Sequence, residues 1–310
     1  MTSGSQPNSV SHPTGEQYEI SAGGYRAVVT EVGATLRVLQ TGDQDMVAGF
    51  GAEDRVEGGR GQQLMPWPNR IRDGRYTFDG REQQLPINEV ERGTALHGLV
   101  RWVPWQLVEH TGDTVTQQVL VYPQEGWDGT VRCTISHRVS ERGLTVLIGC
   151  ENVGDTAVPF GYAAHPYFTL GQDTVDEIVI SAPASSYLEV DDRLLPVAVR
   201  PVDGLPEDLR TEAPLGTRNF DTAFTDLALD QEFQAWRIRL SRGDRETYLW
   251  GDSQHRWIQI YTGADRRDLG LAVEPMTCGP DAFNTEATST GLIVLQPGET
   301  YQGSWGVYGR

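Results

Sequence analysis

Apolar and polar residues alternate with a period of two along much of this chain, the pattern of strands that bury one face. The clearest run sets Val131, Cys133, Ile135, His137 and Val139 against Arg132, Thr134, Ser136 and Arg138. A Ser140-Glu141-Arg142-Gly143 turn leads into a second run with Leu144, Val146, Ile148 and Cys150 in phase. Together they predict an antiparallel hairpin with one buried side, and they make His137 a packed histidine. Further strands are expected at 25–32, 114–122, 177–182, 236–241, 246–250 and 257–262.

Asp-Gly pairs at 73–74, 79–80, 128–129 and 203–204 supply turn chemistry between short strands. No segment carries a helical period with caps at both ends; residues 52–56 and 207–212 are expected to form single turns only. Without a strand–helix–strand rhythm a parallel sheet is disfavoured, so the fold class is all-β, a large antiparallel β-sandwich. Residues 1–16 are rich in Ser, Gly, Pro and Thr, with neither a basic start nor an apolar run. They are expected to form a disordered tail ahead of one domain over 17–310.

At 310 residues the chain can bury a sizeable core. A net charge of −18 argues against nucleic acid as a partner, since few basic runs exist to neutralise phosphates. No run approaches the ~20 apolar residues of a membrane span, so no membrane partner is expected either. Cys133, Cys150 and Cys278 have neither metal-ligand nor disulfide-framework spacing, which fits a reducing cytoplasm.

The candidate chemistry lies in loops. Asn69-Arg70 follows Pro66-Trp67-Pro68, and two prolines there predict a rigid loop that presents the arginine fork. His97 lies between Leu96 and Gly98, a setting more typical of a structural histidine. His165 precedes Pro166, Tyr167 and Phe168; the proline favours an extended backbone, and the aromatic rings can wall a pocket. A nearby carboxylate would keep this imidazole protonated near neutrality. Glu274 follows Leu271-Ala272-Val273 and is read as emerging at a strand end, where desolvation raises its pKa toward that of a useful base. Asp221 and Gln259, set among aromatic residues, suit hydrogen bonds to a polyhydroxylated ligand. His12, in the tail, and His255, in an Asp-Ser-Gln turn, have no partner in view.

Taken in order, Asn69-Arg70-Ile71, Leu96-His97-Gly98, His165-Pro166-Tyr167-Phe168, Phe220-Asp221, Gln259-Ile260-Tyr261-Thr262, Glu274 and Pro280-Asp281-Ala282-Phe283-Asn284 resemble the aldose 1-epimerase (galactose mutarotase) family. The resemblance runs from about residue 20 to the C-terminus. It implies a galactose mutarotase-like supersandwich with a sugar cleft, Glu274 as general base and His165 as general acid. It further implies that Asn69, Arg70, His97, Asp221 and Gln259 hold sugar hydroxyls. The expected partner is a monosaccharide such as glucose or galactose, with no cofactor, on a monomer or homodimer. The chain departs from many members at Ala164, where they carry a polar residue, and in the Pro275-Met276-Thr277-Cys278-Gly279 loop. Alternatives are a hexose-6-phosphate 1-epimerase of the same fold, served by Arg72, Arg75 and Arg101, a non-catalytic carbohydrate-binding sandwich, and a glycoside hydrolase using Asp221 and Glu274.

Overall fold

The computed structural model describes residues 12–264 and 266–309. Its strands assemble into two large antiparallel sheets, a four-stranded sheet and three two-stranded ribbons. The nine-stranded sheet is centred on the expected hairpin, Val131–Ser140 and Gly143–Asn152, which pairs without slippage from Val131↔Asn152 to Ser140↔Gly143. On one side of it lie Thr114–Val121 and Gln106–His110. On the other lie Thr300–Gly309, Arg245–Asp252, Ala235–Arg242, Val179–Ser181 and Ala213–Pro214.

The eight-stranded sheet runs Pro196–Pro201, Ala184–Val190, Asp221–Leu227, Trp257–Tyr261, Leu271–Met276, Ala163–Ala164 and Gln63–Leu64, with Tyr167–Phe168 also paired to Leu271–Met276. Gln17–Ala22, Tyr25–Thr30, Leu36–Thr41 and Gln44–Asp45 form a four-stranded sheet. One apolar cluster draws on the nine-, eight- and four-stranded sheets, with Ile20, Val146, Phe224, Ile260 and Trp305 among its members. Single hydrogen-bonded turns close at the two expected segments, Asp54 N on Gly51 O and Asp208 N on Leu205 O, and the one helical element among the described residues is the 3-10 turn Val175–Glu177.

Trp105, Trp127, Trp236, Trp257 and Trp305 are fully enclosed. A large buried side chain of this kind contributes about 2–3 kcal/mol of apolar transfer, provided its N–H finds an acceptor. Four of the five do: Trp105 donates to Val100 O, Trp236 to His255 O, Trp257 to Thr290 O and Trp305 to Tyr162 Oη.

Two sequence expectations need correction. The tail over 1–11 lies outside the described residues, but residues 12–16 run along the body: Thr14 is buried, its carbonyl accepts from Val32 N, and Glu16 O accepts from Glu31 N. His255 is not an unpartnered turn residue. It is enclosed, with Nδ1 at 2.9 Å from Asp252 Oδ1, while Asp252 also accepts from Ser304 N and Oγ. His12 likewise meets Glu53 at 3.2 Å.

Candidate active site

Glu274 does not stand at a strand end. It lies within Leu271–Met276, directly opposite Gln259 on the adjacent strand, and Pro275 continues the same strand. A proline cannot donate to a ladder, so it needs a neighbour that asks for no N–H there. The sheet provides that gap. The strand on the far side is interrupted at His165-Pro166, between Ala163–Ala164 and Tyr167–Phe168, although Pro166 O still accepts from Val273 N. The register holds across the interruption, with Ala163 opposite Met276 and Tyr167 opposite Ala272, so His165 falls opposite Glu274.

The two side chains meet at 3.3 Å, His165 Nε2 to Glu274 Oε1, with His165 5 % and Glu274 3 % exposed. His165 is clamped by its backbone, which donates to Gln62 O and accepts from Gly61 N. The Tyr167 ring stacks on it at 5.1 Å and 7°, and the His97 ring meets it edge-on at 5.4 Å. Gly59 closes over the same ring: its φ is +76°, and a Cβ there would lie 3.1 Å from His165 Cδ2. Phe168, expected beside Tyr167 on the pocket wall, instead belongs to the apolar core.

Burial drives the electrostatics. It pushes Glu274 well above the ordinary carboxylate range, with Asp221 adding to the rise and Arg70 opposing it. Burial also pulls His165 down to about 3, against an opposing backbone hydrogen bond and with a smaller contribution from the Arg101 charge. Burial therefore disfavours the expected imidazolium in the ligand-free protein and favours a proton on Glu274, because a shared low-dielectric site favours the neutral form of both groups. His97 is lowered as well, first by desolvation, then by His165, Arg101 and Arg70.

Asn69 and Arg70 reach the same cavity, and Arg70 is no solvated surface arginine. It is buried and held by Glu89 in a two-point bond, Nε–Oε2 at 2.8 Å and Nη2–Oε1 at 2.9 Å, with Nη1 at 3.2 Å from Asn69 Oδ1. Burial would raise Glu89, but bonds from Arg70 and Thr94 outweigh it and hold the carboxylate ionised. Glu89 went unsuspected in the sequence, as did Tyr167 as a stacking partner. Gln259 donates to Asp221 Oδ1 at 2.6 Å and faces Asn69 Nδ2 at 3.5 Å, so these three form a polar chain beside Glu274. His97 is held by its backbone N–H on Asn69 O, with φ +65°. The turn depends on Gly98, where a Cβ would fall 1.9 Å from Met65 O.

All seven candidate residues thus line one cavity of about 410 Å³, large enough for a hexose. A larger hollow of about 640 Å³ beside Phe233, Trp236, Trp250 and Tyr308 holds no histidine–carboxylate pair. Among the described residues no group of three or more His, Cys, Asp or Glu side chains is placed to hold a metal ion, and no helix is long and apolar enough to cross a membrane. The cavity brings together the buried Glu274–His165 contact and the side chains of Asn69, Arg70, His97, Asp221 and Gln259.

A family model described as aldose 1-epimerase matches residues 16–307. The chain is 32 % identical to the uncharacterized protein YihR of Escherichia coli K12, covering 96 % of this chain and 95 % of that one. It is 26 % identical to galactose mutarotase of Mus musculus, covering 93 % and 92 %. Among solved structures, a GalM/aldose epimerase homologue from C. elegans superposes with a TM-score of 0.83 at 22 % identity, covering 95 % of this chain and 98 % of the other. A galactose mutarotase-like protein from Clostridium acetobutylicum gives 0.82 at 16 % identity, covering 94 % of each.

Proposed function

The chain belongs to the aldose 1-epimerase family, and from that premise we propose that it interconverts the α and β anomers of a free aldohexose such as glucose or galactose. The observation that carries the reading is the Glu274–His165 contact at the cavity floor. A sandwich that only bound sugar would need neither a desolvated carboxyl nor an imidazole facing it.

Opening the ring requires removal of the anomeric hydroxyl proton and delivery of a proton to the ring oxygen. Glu274 takes the first and His165 gives the second. Opening therefore begins with carboxylate and imidazolium and ends with carboxylic acid and neutral imidazole. The aldehyde turns about its bond to C2, and reclosure on the other face returns both protons. Burial favours the second arrangement in the ligand-free pair, the one matched to the open chain. A cyclic sugar must draw the proton from Glu274 to His165, and their 3.3 Å contact is the route for it. Asn69, Arg70, His97, Asp221 and Gln259 hold the hydroxyls, with the Glu89 clamp fixing the Arg70 fork in advance of binding. Neither electrons nor groups are transferred, so the chemistry asks for no cofactor.

Polarimetry of freshly dissolved α-glucose and α-galactose tests this. The protein should accelerate the approach to equilibrium in proportion to its concentration. Rates equal to the buffer blank for a panel of free aldoses would overturn the reading.

A further inference from the structure

Three of the seven candidate residues ride on a part of the molecule that neither large sheet contains. Arg70–Arg72 and Thr94–Leu96 form a separate two-stranded ribbon, with Asn69 just before one strand, Arg70 at its start and His97 just after the other. The Glu89–Gly93 turn that clamps Arg70 is joined to the same ribbon, through the Glu89–Thr94 bond and the Asn88 side chain on Leu96 N and O. Two strands of three residues are not stable by themselves. The placement of Arg70 against Glu274 therefore depends on what ties the ribbon to the rest. Asp281 is one tie: its N–H donates to Arg70 O, and its carboxylate accepts from Arg72 N and Nε.

Arg193 is a second. It sits in the turn that joins Ala184–Val190 to Pro196–Pro201, the hairpin at the edge of the eight-stranded sheet. That turn is braced from within: Asp191 Oδ1 accepts from Arg193 N at 2.9 Å and from Leu195 N at 3.0 Å, and Leu195 is fully buried. From this base the guanidinium spans one end of the ribbon. Nε donates to Arg92 O at 2.8 Å, and Nη2 donates to Gly93 O at 3.2 Å and to Asp73 Oδ1 at 2.6 Å. Arg92 and Gly93 end the turn that begins at Glu89, and Asp73 follows the strand that begins at Arg70. Gly93 adopts φ +62°, and a Cβ there would lie 3.2 Å from Nη2, so the chain leaves room for the fork. Only a planar group with several donors can serve two carbonyls and a carboxylate at once. Arg193 does not itself line the cavity. Resting on the epimerase reading above, we propose that Arg193 is a positioning residue: it holds the Glu89–Gly93 turn against the eight-stranded sheet, and through Glu89 it sets the Arg70 fork and the affinity for sugar hydroxyls without touching the sugar.

The test is the division between KM and kcat in mutarotation of α-glucose or α-galactose, whichever the wild-type protein turns over faster. Arg193→Ala should raise KM about five- to twentyfold and leave kcat within about twofold, because a hydroxyl-binding group that is displaced loses ground-state and transition-state binding alike. Arg193→Lys, a point charge that cannot serve all three acceptors, should fall between Ala and wild type. In a Glu89→Gln background the same Arg193→Ala change should raise KM by less than about twofold, since the clamp it positions is already loosened. A KM that Arg193→Ala leaves unchanged, or that rises by the same factor with and without Glu89→Gln, overturns the proposal and leaves the epimerase reading standing. A wild-type protein that accelerates neither sugar overturns both. The Arg193–Asp73 pair is partly exposed and contributes little to the fold, so melting temperatures should stay close to wild type. If Arg193→Ala does not fold, the milder Arg193→Lys carries the same KM test alone and against Glu89→Gln.

Discussion

His137 and His165 sit in different sheets, and burial drives both imidazoles to about 3. His137 lies on the central hairpin, opposite Val115 on one side and Val146 on the other, and among the described residues neither ring nitrogen has a hydrogen-bond partner. His165 lies at a break in the eight-stranded sheet and faces Glu274, whose pKa moves the opposite way. The depressed value alone therefore says nothing about chemistry. Desolvation beside a valine leaves an inert base; desolvation beside a second titratable group leaves one mobile proton between two sites.

The largest expected effect follows from that contrast. Each positioned proton transfer is worth roughly 10²–10⁴ in rate. Glu274→Gln and His165→Asn should each lose mutarotation by about that factor, whereas His137→Leu should turn over at the wild-type rate. Because the first two act as one unit, the double variant should be little worse than either single one. Retention of more than a tenth of the rate in Glu274→Gln would return that carboxyl to a structural role. A comparable loss in His137→Leu would erase the distinction between the two histidines.

The sequence carried the two sites unequally. The hairpin was legible throughout, because a strand with one buried face writes its register into a period of two, and His137 could be assigned to the core from its phase alone. The cleft was legible as motifs but not as geometry. Pro275 suggested that the strand stopped at Glu274, and only the interruption at His165-Pro166 explains how it continues. Glu89 sits in a polar loop with no apolar phase to mark it, and its partner Arg70 is 19 residues away. The protonation of His165 was misjudged for a related reason. A nearby carboxylate raises an imidazole pKa only where the ion pair is solvated enough to form, and local sequence does not reveal that both groups are enclosed.

That misjudgement reverses the expected pH profile, which gives the next test. The profile of kcat/KM reports groups of the free enzyme, so the ligand-free values apply. His165 is lowered, and it gains a second proton for the pair only as pH falls toward about 3. Glu274 is raised, and the pair loses its one proton only as pH climbs above the usual carboxylate range. The acid limb therefore belongs to the imidazole and the alkaline limb to the carboxyl, with a plateau between them. An acid limb at ordinary carboxylate pH together with an alkaline limb near ~6.5 would restore the opposite order and with it a resting ion pair.

The smallest effect should come from His137 and should concern stability alone. Its folded pKa of about 3 lies below the ~6.5 of an unfolded histidine, so the unfolded chain binds the extra proton first. The stability associated with neutral His137 is fully present above pH ~6.5 and is lost as pH falls from there toward 3, by up to about 1.4 kcal/mol per unit. Replacing it by leucine removes this titration. It also removes two enclosed nitrogens that find no hydrogen bond, at the cost of a modest change of shape in the apolar layer. Urea melts of His137→Leu and wild type should therefore lie within about 1–2 kcal/mol of each other at pH 7.5 and diverge in favour of the variant as the pH is lowered to 4.5. The other buried histidines titrate equally in both proteins and cancel in the difference. A difference that stayed constant over that range would mean that His137 is protonated in the fold, or that the hairpin opens enough to hydrate it, and either result would end its use as the inert counterpart of His165.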